Sequence, residues 1–116
     1  MDANLVKSSD YSQKDYINTN NQRISVERYG RTVILHLYNV IYSQITGVTL
    51  DEEYRPTERV DGTIGWCDGG SVSRTVVGAL DTNGAFTGIW VGTSTGGYEA
   101  LTDNSGRVFG HLTYVM

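Results

Sequence analysis

The sequence is poor in residues that cross-link or stiffen a chain. It contains one cysteine, Cys67, and one proline, Pro56, among 116 residues. A single cysteine excludes a disulfide within the chain, and with only two histidines there is no zinc-type ligand spacing. We therefore expect no metal and no cofactor, and a chain that folds in a reducing cytoplasm.

Basic residues and long apolar runs are also scarce. Nine Lys and Arg residues against thirteen Asp and Glu residues give a formal charge of -4, whereas nucleic-acid binders carry a basic patch or stripe. A polybasic patch for anionic lipid is missing for the same reason. No apolar run approaches the ~18–20 residues of a membrane span, and the N-terminus lacks the apolar core of a signal peptide. We expect no nucleic-acid partner, no membrane insertion and no Sec export.

Glycine and tyrosine, by contrast, are abundant. Fourteen glycines and eight tyrosines favour a turn-rich β protein, and the length fits one domain. Residues 1–22 are polar and predict an N-terminal arm or linker, with at most a short helix within residues 8–17. From Arg23 onward, extended segments alternate with turn signals and no helical period is visible. This pattern predicts an all-β antiparallel sandwich or barrel over residues 23–116.

One predicted strand, RTVILHLYNVIY at residues 31–42, is apolar on both faces. Val33, Leu35 and Leu37 point one way, and the intervening residues point the other way. A strand with one face in water would alternate cleanly between apolar and polar residues. We therefore expect the second face to be covered by another element or by a neighbouring subunit. The candidate subunit-interface residues are Ile34, His36, Tyr38 and Trp90.

The motifs that superficially look like catalytic or metal sites have simpler explanations. DTNG at residues 81–84 lacks the distal acidic ligand of a calcium loop, and its residues are typical of a hairpin turn. Glu52 and Glu53 are adjacent, so on a strand they point to opposite faces and cannot form a glycosidase pair. There is no G-x-S-x-G motif. We predict that the protein is not an enzyme.

Two aromatic residues lie beside polar turns. Trp66 precedes the turn that contains Asp68, and Tyr98 follows the Gly-rich segment 92–97. An aromatic face next to short polar side chains suits a sugar ring, because the ring stacks and the polar groups bind the hydroxyls. The alternative is that the tryptophans anchor the core or a subunit interface. The candidate ligand-binding residues are Trp66, Asp68 and Tyr98.

The only proline predicts a stiff crossing segment. Pro56 forces Arg55 into an extended conformation and donates no hydrogen bond to a sheet. We expect Tyr54–Pro56 to connect a strand at residues 44–50 with a strand that begins near Glu58. Tyr54 is expected to point inward.

Four short motifs occur in order along the chain: GRTV at 30–33, LDEEYRP at 50–56, DTNG at 81–84 and GHLTY at 110–114. Their order and spacing resemble the C-terminal head domain of bacteriophage tail-fibre and baseplate receptor-binding proteins over about residues 23–116. Two features depart from that family. Asp51 stands where it usually has proline, and the segment 92–97 does not align.

The resemblance implies a jelly-roll-like β-sandwich that assembles as a homotrimer in the virion. The N-terminal arm would join the head to other tail or baseplate proteins. The implied function is non-covalent binding of a host-surface glycan, with three weak sites that together supply avidity. A structural module that trimerises or caps the tail without a ligand is one alternative. A hydrolase acting on cell-wall sugar is another.

Overall fold

The structure is a computed structural model that describes residues 10–70 and 72–116. Within these residues, eight strands form one antiparallel sheet in the order β1-β2-β3-β8-β4-β5-β6-β7. The all-β prediction is confirmed. The strands are β1 (Tyr11–Asn18), β2 (Arg23–Tyr29), β3 (Thr32–Val40), β4 (Val60–Cys67), β5 (Ser73–Leu80), β6 (Phe86–Gly92), β7 (Tyr98–Ala100) and β8 (Arg107–Val115). A short helix, α1 (Tyr42–Thr46), and a 3₁₀ turn (Glu52–Tyr54) lie between β3 and β4.

The two predicted hairpins are confirmed. β2 pairs with β3 through a tight turn in which Gly30 has φ 61°. β5 pairs with β6 through the DTNG turn, where Gly84 has φ 84°. Both values lie in the left-handed region that glycine enters without a Cβ penalty.

The last strand inserts into the middle of the sheet. β8 pairs antiparallel with both β3 and β4, so β3 and β4 run in the same direction. Parallel strands cannot be joined by a tight turn. The chain therefore crosses the sheet between them, through residues 41–59.

This crossing segment covers the apolar face of the sheet. Ile45, Leu50 and Tyr54 are each at most 2% exposed. They belong to one core cluster with the inward residues of the strands, among them Ile24, Val26, Val33, Leu35, Ile64, Val76, Ile89, Val108 and Leu112. The hydrophobic effect thus holds the sheet and the crossing segment together as two layers.

Hydrogen bonds fix the crossing segment to both halves of the sheet. The Tyr114 hydroxyl on β8 donates to the Tyr54 carbonyl at 2.6 Å. The Leu50 amide donates to the Gly84 carbonyl at 2.9 Å. Arg55 is extended (φ -78°, ψ 139°) and Tyr54 is buried, so both expectations for the Tyr54–Pro56 segment are confirmed.

The strand predicted at residues 44–50 is wrong. Residues 42–46 form α1, and Thr49 makes only an isolated bridge with Ala85. The helix forms because the Gln44 side chain accepts a hydrogen bond from the Ile41 amide at 3.0 Å, which satisfies one free amide of the first turn. The helix also buries Ile45 against the sheet.

The arm or short helix predicted near the N-terminus is also replaced by a strand. Residues 11–18 form β1, which pairs with β2 at one edge of the sheet. The strand is polar because an edge strand has little of its surface in the core, and charge there discourages pairing with other chains. Residues 1–9 lie outside the described residues.

Candidate functional site

The outer face of the sheet, opposite the crossing segment, carries an open groove over β1, β2 and β3. Its volume is about 860 Å³, near the upper end of the usual range for ligand pockets. We call it the outer groove. Its lining residues are Tyr11, Gln13, Asp15, Thr19, Asn20, Gln22, Arg23, Ser25, Glu27, His36, Leu37, Tyr38 and Gly110.

The groove exists because one outward side chain of β2 is small. Along the outer face of β2, Ser25 stands between Arg23 and Glu27 and is only 4% exposed. The register places Asp15 of β1 on one side of Ser25 and His36 of β3 on the other. Because β1 and β3 are about 10 Å apart, two strand spacings, Ser25 forms a floor between two polar walls.

One end of the groove is organised around Glu27. Its Oε2 accepts hydrogen bonds from Tyr29 at 2.8 Å and from Tyr11 at 3.2 Å. Its Oε1 lies 2.8 Å from Nε2 of His36. The hydrogen bond from Tyr29 lowers the pKa of the Glu27 carboxyl most, and the one from His36 lowers it further. The bond to Glu27 raises the pKa of Tyr29. At neutral pH this end therefore holds a carboxylate and two neutral phenols.

Aromatic rings are exposed along the groove. Tyr11 and Tyr29 pack with ring centroids 4.9 Å apart, and Tyr11 is 41% exposed. Tyr38 is 56% exposed and meets Phe109 edge-on at 5.5 Å. Rings held by such contacts present a fixed apolar face beside polar groups, an arrangement that suits a ligand with both apolar and hydroxyl surfaces.

The structure places all four predicted interface residues on this same outer face. Ile34, His36 and Tyr38 project from β3. The pairing register through β8, β4 and β5 places Trp90 of β6 on the same side of the sheet. The Trp90 ring lies over Gly88, where a Cβ would come within 2.2 Å of the ring. That these residues contact another subunit stays a prediction.

Beyond the groove, the outer face carries apolar and threonine side chains around its middle, with His111 among them and the charged residues Asp61 and Arg107 at the beginning of β4 and β8. We call the set Ile34, Thr63, Val77, Trp90 and Phe109 the outer patch. None of these five side chains is charged, although the whole chain carries 22 charged residues, 9 basic and 13 acidic. Depletion of charge is typical of the centre of a protein interface.

The predicted ligand residues Trp66, Asp68 and Tyr98 are not brought together. Trp66 and Tyr98 line two separate pockets, of about 420 and 440 Å³. The Trp66 ring lies 5.8 Å from the Arg74 guanidinium, measured to the ring centre, and also lies close to the backbone at Gly106. Its indole N–H donates to the Ser105 carbonyl. The ring is thus largely occupied by its own chain.

Asp68 and Tyr98 differ in how much of the side chain is free to contact a ligand. The Asp68 carboxylate accepts hydrogen bonds from the amides of Gly70 and Val72 at 2.8 and 3.3 Å, which is typical of a turn residue. Tyr98 lies on the edge strand β7 and is 54% exposed. Their binding roles stay predictions, and Tyr98 is the one whose ring is open to a ligand.

Sequence reasoning missed the outer groove because half of it belongs to the segment interpreted as an arm. Tyr11, Gln13 and Asp15 come from β1, and their neighbours in space come from β2. A signal was present in β2, where Arg23, Ser25 and Glu27 alternate with Ile24 and Val26. Such alternation marks a strand with one polar face.

Two further findings bear on the chemistry of the described part of the chain. Residues 10–70 and 72–116 hold no group of three or more His, Cys, Asp or Glu side chains placed to bind a metal ion. No helix in these ranges is long and apolar enough to cross a membrane.

In comparisons with known proteins, no protein-family model, no curated protein and no solved structure matches this chain.

Proposed function

We propose that this chain is the receptor-binding head of a phage or prophage tail fibre or baseplate, and that it binds a host-surface glycan non-covalently. The observation that carries the proposal is the outer groove, where exposed tyrosine rings stand beside amide, carboxylate, guanidinium and imidazole groups. The sequence resemblance supplies the phage context.

Sugar rings fit this mixture of groups. A pyranose has an apolar face that stacks on an aromatic ring, and hydroxyls that bind planar polar side chains. Tyr38 and Tyr11 supply rings, while Gln13, Asp15 and Asn20 supply hydrogen-bonding groups along one wall. The groove is open to solvent, so each site would be weak and several linked sites would be needed for firm attachment.

The outer patch supports the homotrimer that the resemblance implies. A patch of rings and methyl groups is costly to leave in water, and a second copy that covers it removes no charged group of the patch from water. The patch borders the groove at Tyr38. Assembly through the patch would therefore place several grooves close together.

We extend the proposal to a jelly-roll-like sandwich. Insertion of β8 between β3 and β4 is a non-sequential strand order, as in Greek-key arrangements, and not that of a simple meander. Strands from β2 to β6 also contribute to one core cluster, which favours a sheet folded over the crossing segment. An experimental structure would test this directly, and a flat sheet would contradict it.

The groove assignment is tested by filling it. Ser25→Phe places a ring on the groove floor, and Ser73→Phe makes the same change in the pocket that contains Tyr98. Both purified variants are applied to an array of bacterial surface polysaccharides, with circular dichroism as the check on folding. We expect Ser25→Phe to lose the binding of the unmodified protein and Ser73→Phe to keep it. The reverse result would place the ligand near Tyr98, and no binding by the unmodified protein would refute glycan recognition.

A second candidate function, a ligand-free trimerising or capping module, is favoured by the outer patch alone. Light scattering tests the patch: a trimer has about three times the 12.8 kDa mass of the chain. Thr63 is exposed in the middle of the patch, so Thr63→Glu introduces a charge there without burying it in the fold. Thr82→Glu, in the exposed DTNG turn, is the matched control. We expect only Thr63→Glu to give a monomer, and a monomeric unmodified protein would remove the basis for both assembly proposals.

A further inference from the structure

The one cation on the rim of the outer groove is Arg23, and its guanidinium has no partner in the described ranges 10–70 and 72–116. The ion pairs found there join Lys14 to Asp51, His36 to Glu27 and Arg59 to Asp61. Arg23 is exposed at the start of β2 and stands directly opposite Tyr38 in the register of β2 and β3. An unpaired guanidinium beside an open aromatic ring is suited to an anionic group that accepts two hydrogen bonds, carried on a ring-shaped ligand.

The acidic groups of the groove are already hydrogen-bonded. Glu27 accepts from two tyrosines and contacts His36. Asp15 accepts from the side-chain amides of Gln13 and Asn18. Both carboxylates are therefore held by groups other than Arg23.

The two carboxylates lie at different distances from Arg23. Glu27 is four residues further along the same strand, about 13 Å away at 3.3 Å per residue, beyond the screening length of about 8 Å at physiological salt. Asp15 pairs with Ser25 and is thus the diagonal neighbour of Arg23, at about 7–8 Å between Cα atoms. Asp15 weakens the attraction of an anion, and Glu27 has little effect on it.

We infer that the outer groove takes a saccharide that bears a carboxylate or phosphate, with the anionic group on Arg23 and the adjoining ring on Tyr38. This rests on the proposed function, since it names the ligand class of the same groove. The ligand carries few charges, because the chain is itself acidic at -4 and Asp15 stands close by. A ligand with many anionic groups would be repelled.

The test compares charged and uncharged forms of one probe by NMR titration, which measures weak binding residue by residue. The carboxylate probe is galacturonic acid, with its methyl ester as the uncharged match. The phosphate probe is glucose 6-phosphate, with glucose as its match. We expect at least one acidic form to bind about 1.5-fold to fivefold more tightly than its uncharged match, the range for an exposed ion pair.

Three variants separate Arg23 from the general charge of the chain. Arg23→Gln should abolish the preference for the acidic form over its uncharged match. Asp15→Asn should increase that preference. Arg107→Gln, which removes the same charge from an exposed position on β8, is the control and should leave the preference unchanged.

The outcomes distinguish failure of this inference from failure of the glycan function. An unchanged preference in Arg23→Gln, or an equal effect of Arg107→Gln, would overturn the role of Arg23. Equal binding of charged and uncharged probes would overturn the anionic ligand class. In each of these cases, loss of binding in Ser25→Phe would still support the groove as a glycan site. If no saccharide shifts any groove resonance, both the inference and the glycan function fail.

Discussion

Substitution of Tyr114 by phenylalanine tests how the crossing segment is held to the sheet. Tyr114 is 6% exposed and Tyr54 is 2% exposed. Their hydrogen bond of 2.6 Å, from the Tyr114 hydroxyl to the Tyr54 carbonyl, joins β8 to the 3₁₀ turn. Phenylalanine keeps the ring in the core and removes only the donor. The Tyr54 carbonyl is then left buried without that partner.

The expected loss follows from the cost of a buried polar group that has lost its partner. That cost is about 1–3 kcal/mol. Unfolding entropy is about 2.1 cal/mol/K per residue near 60 °C, so 116 residues give about 0.24 kcal/mol/K. The melting temperature should therefore fall by about 4–12 °C.

The measurement is thermal unfolding followed by circular dichroism. Tyr98→Phe is the matched control, because Tyr98 is exposed and its loss of a hydroxyl should leave the melting temperature within about 2 °C. An equally unchanged melting temperature in Tyr114→Phe would refute the view that this hydrogen bond secures the crossing segment.

Alkaline pH supplies a second readout for Tyr114. Burial raises its pKa well above the ordinary value, which is about 10 in an unfolded chain. Its contribution to stability is full below pH of about 10 and is lost as the pH rises toward the folded-state pKa, because only the unfolded chain ionises. Tyr114→Phe should therefore lose less stability between pH 9 and 11 than the unmodified protein does. An identical loss would show that Tyr114 is not the group responsible.

Two other substitutions test the turn and the groove. Gly84→Ala should lower the free energy of unfolding, measured in urea, by more than about 2 kcal/mol. An alanine in the left-handed conformation costs about 1–2 kcal/mol, and its Cβ would also clash with the Leu50 carbonyl oxygen at 2.7 Å. Gly30→Ala, at φ 61° with open space around it, should cost only that penalty, and equal losses would refute the close approach at Gly84. Glu27→Gln should reduce the dependence of the free energy of unfolding on pH in the acid range. Because the pKa of Glu27 is lowered in the folded protein, its contribution to stability is full above pH of about 4.3 and is lost as the pH falls through the folded-state pKa. If urea unfolding at acid pH gives the same pH dependence for Glu27→Gln and the unmodified protein, the hydrogen bonds to Glu27 do not form in solution.

Local pattern was enough to predict the strands whose two faces differ or whose turns are tight. β2 is marked by alternation, β3 by the extended apolar run that follows the Tyr29-Gly30 turn, and β5 and β6 by the DTNG turn. Pro56 was enough to predict the extended Arg55. In each case the information lies within a few neighbouring residues, because a strand period and a turn conformation are local properties.

Two elements were not predictable in this way. β1 has the polar sequence typical of an arm, and it is a strand because Lys14 and Tyr16 bond to Asp51, at 2.7 and 3.1 Å, and because its backbone pairs with β2. Residues 42–46 have a β-like sequence, and they form a helix because Ile45 is buried over the sheet. Tertiary packing overrides weak local preference in both cases.

The candidate site shows the same division. Composition and pattern alone predict an acidic, one-cysteine, all-β chain in which β3 is apolar on both sides. Three features depend on the tertiary structure: β8 enters between β3 and β4, the crossing segment covers one face, and Ser25 leaves a groove between Asp15 and His36. These depend on which strands become neighbours. Strand neighbours are selected by burial of the whole core and not by any short stretch of sequence.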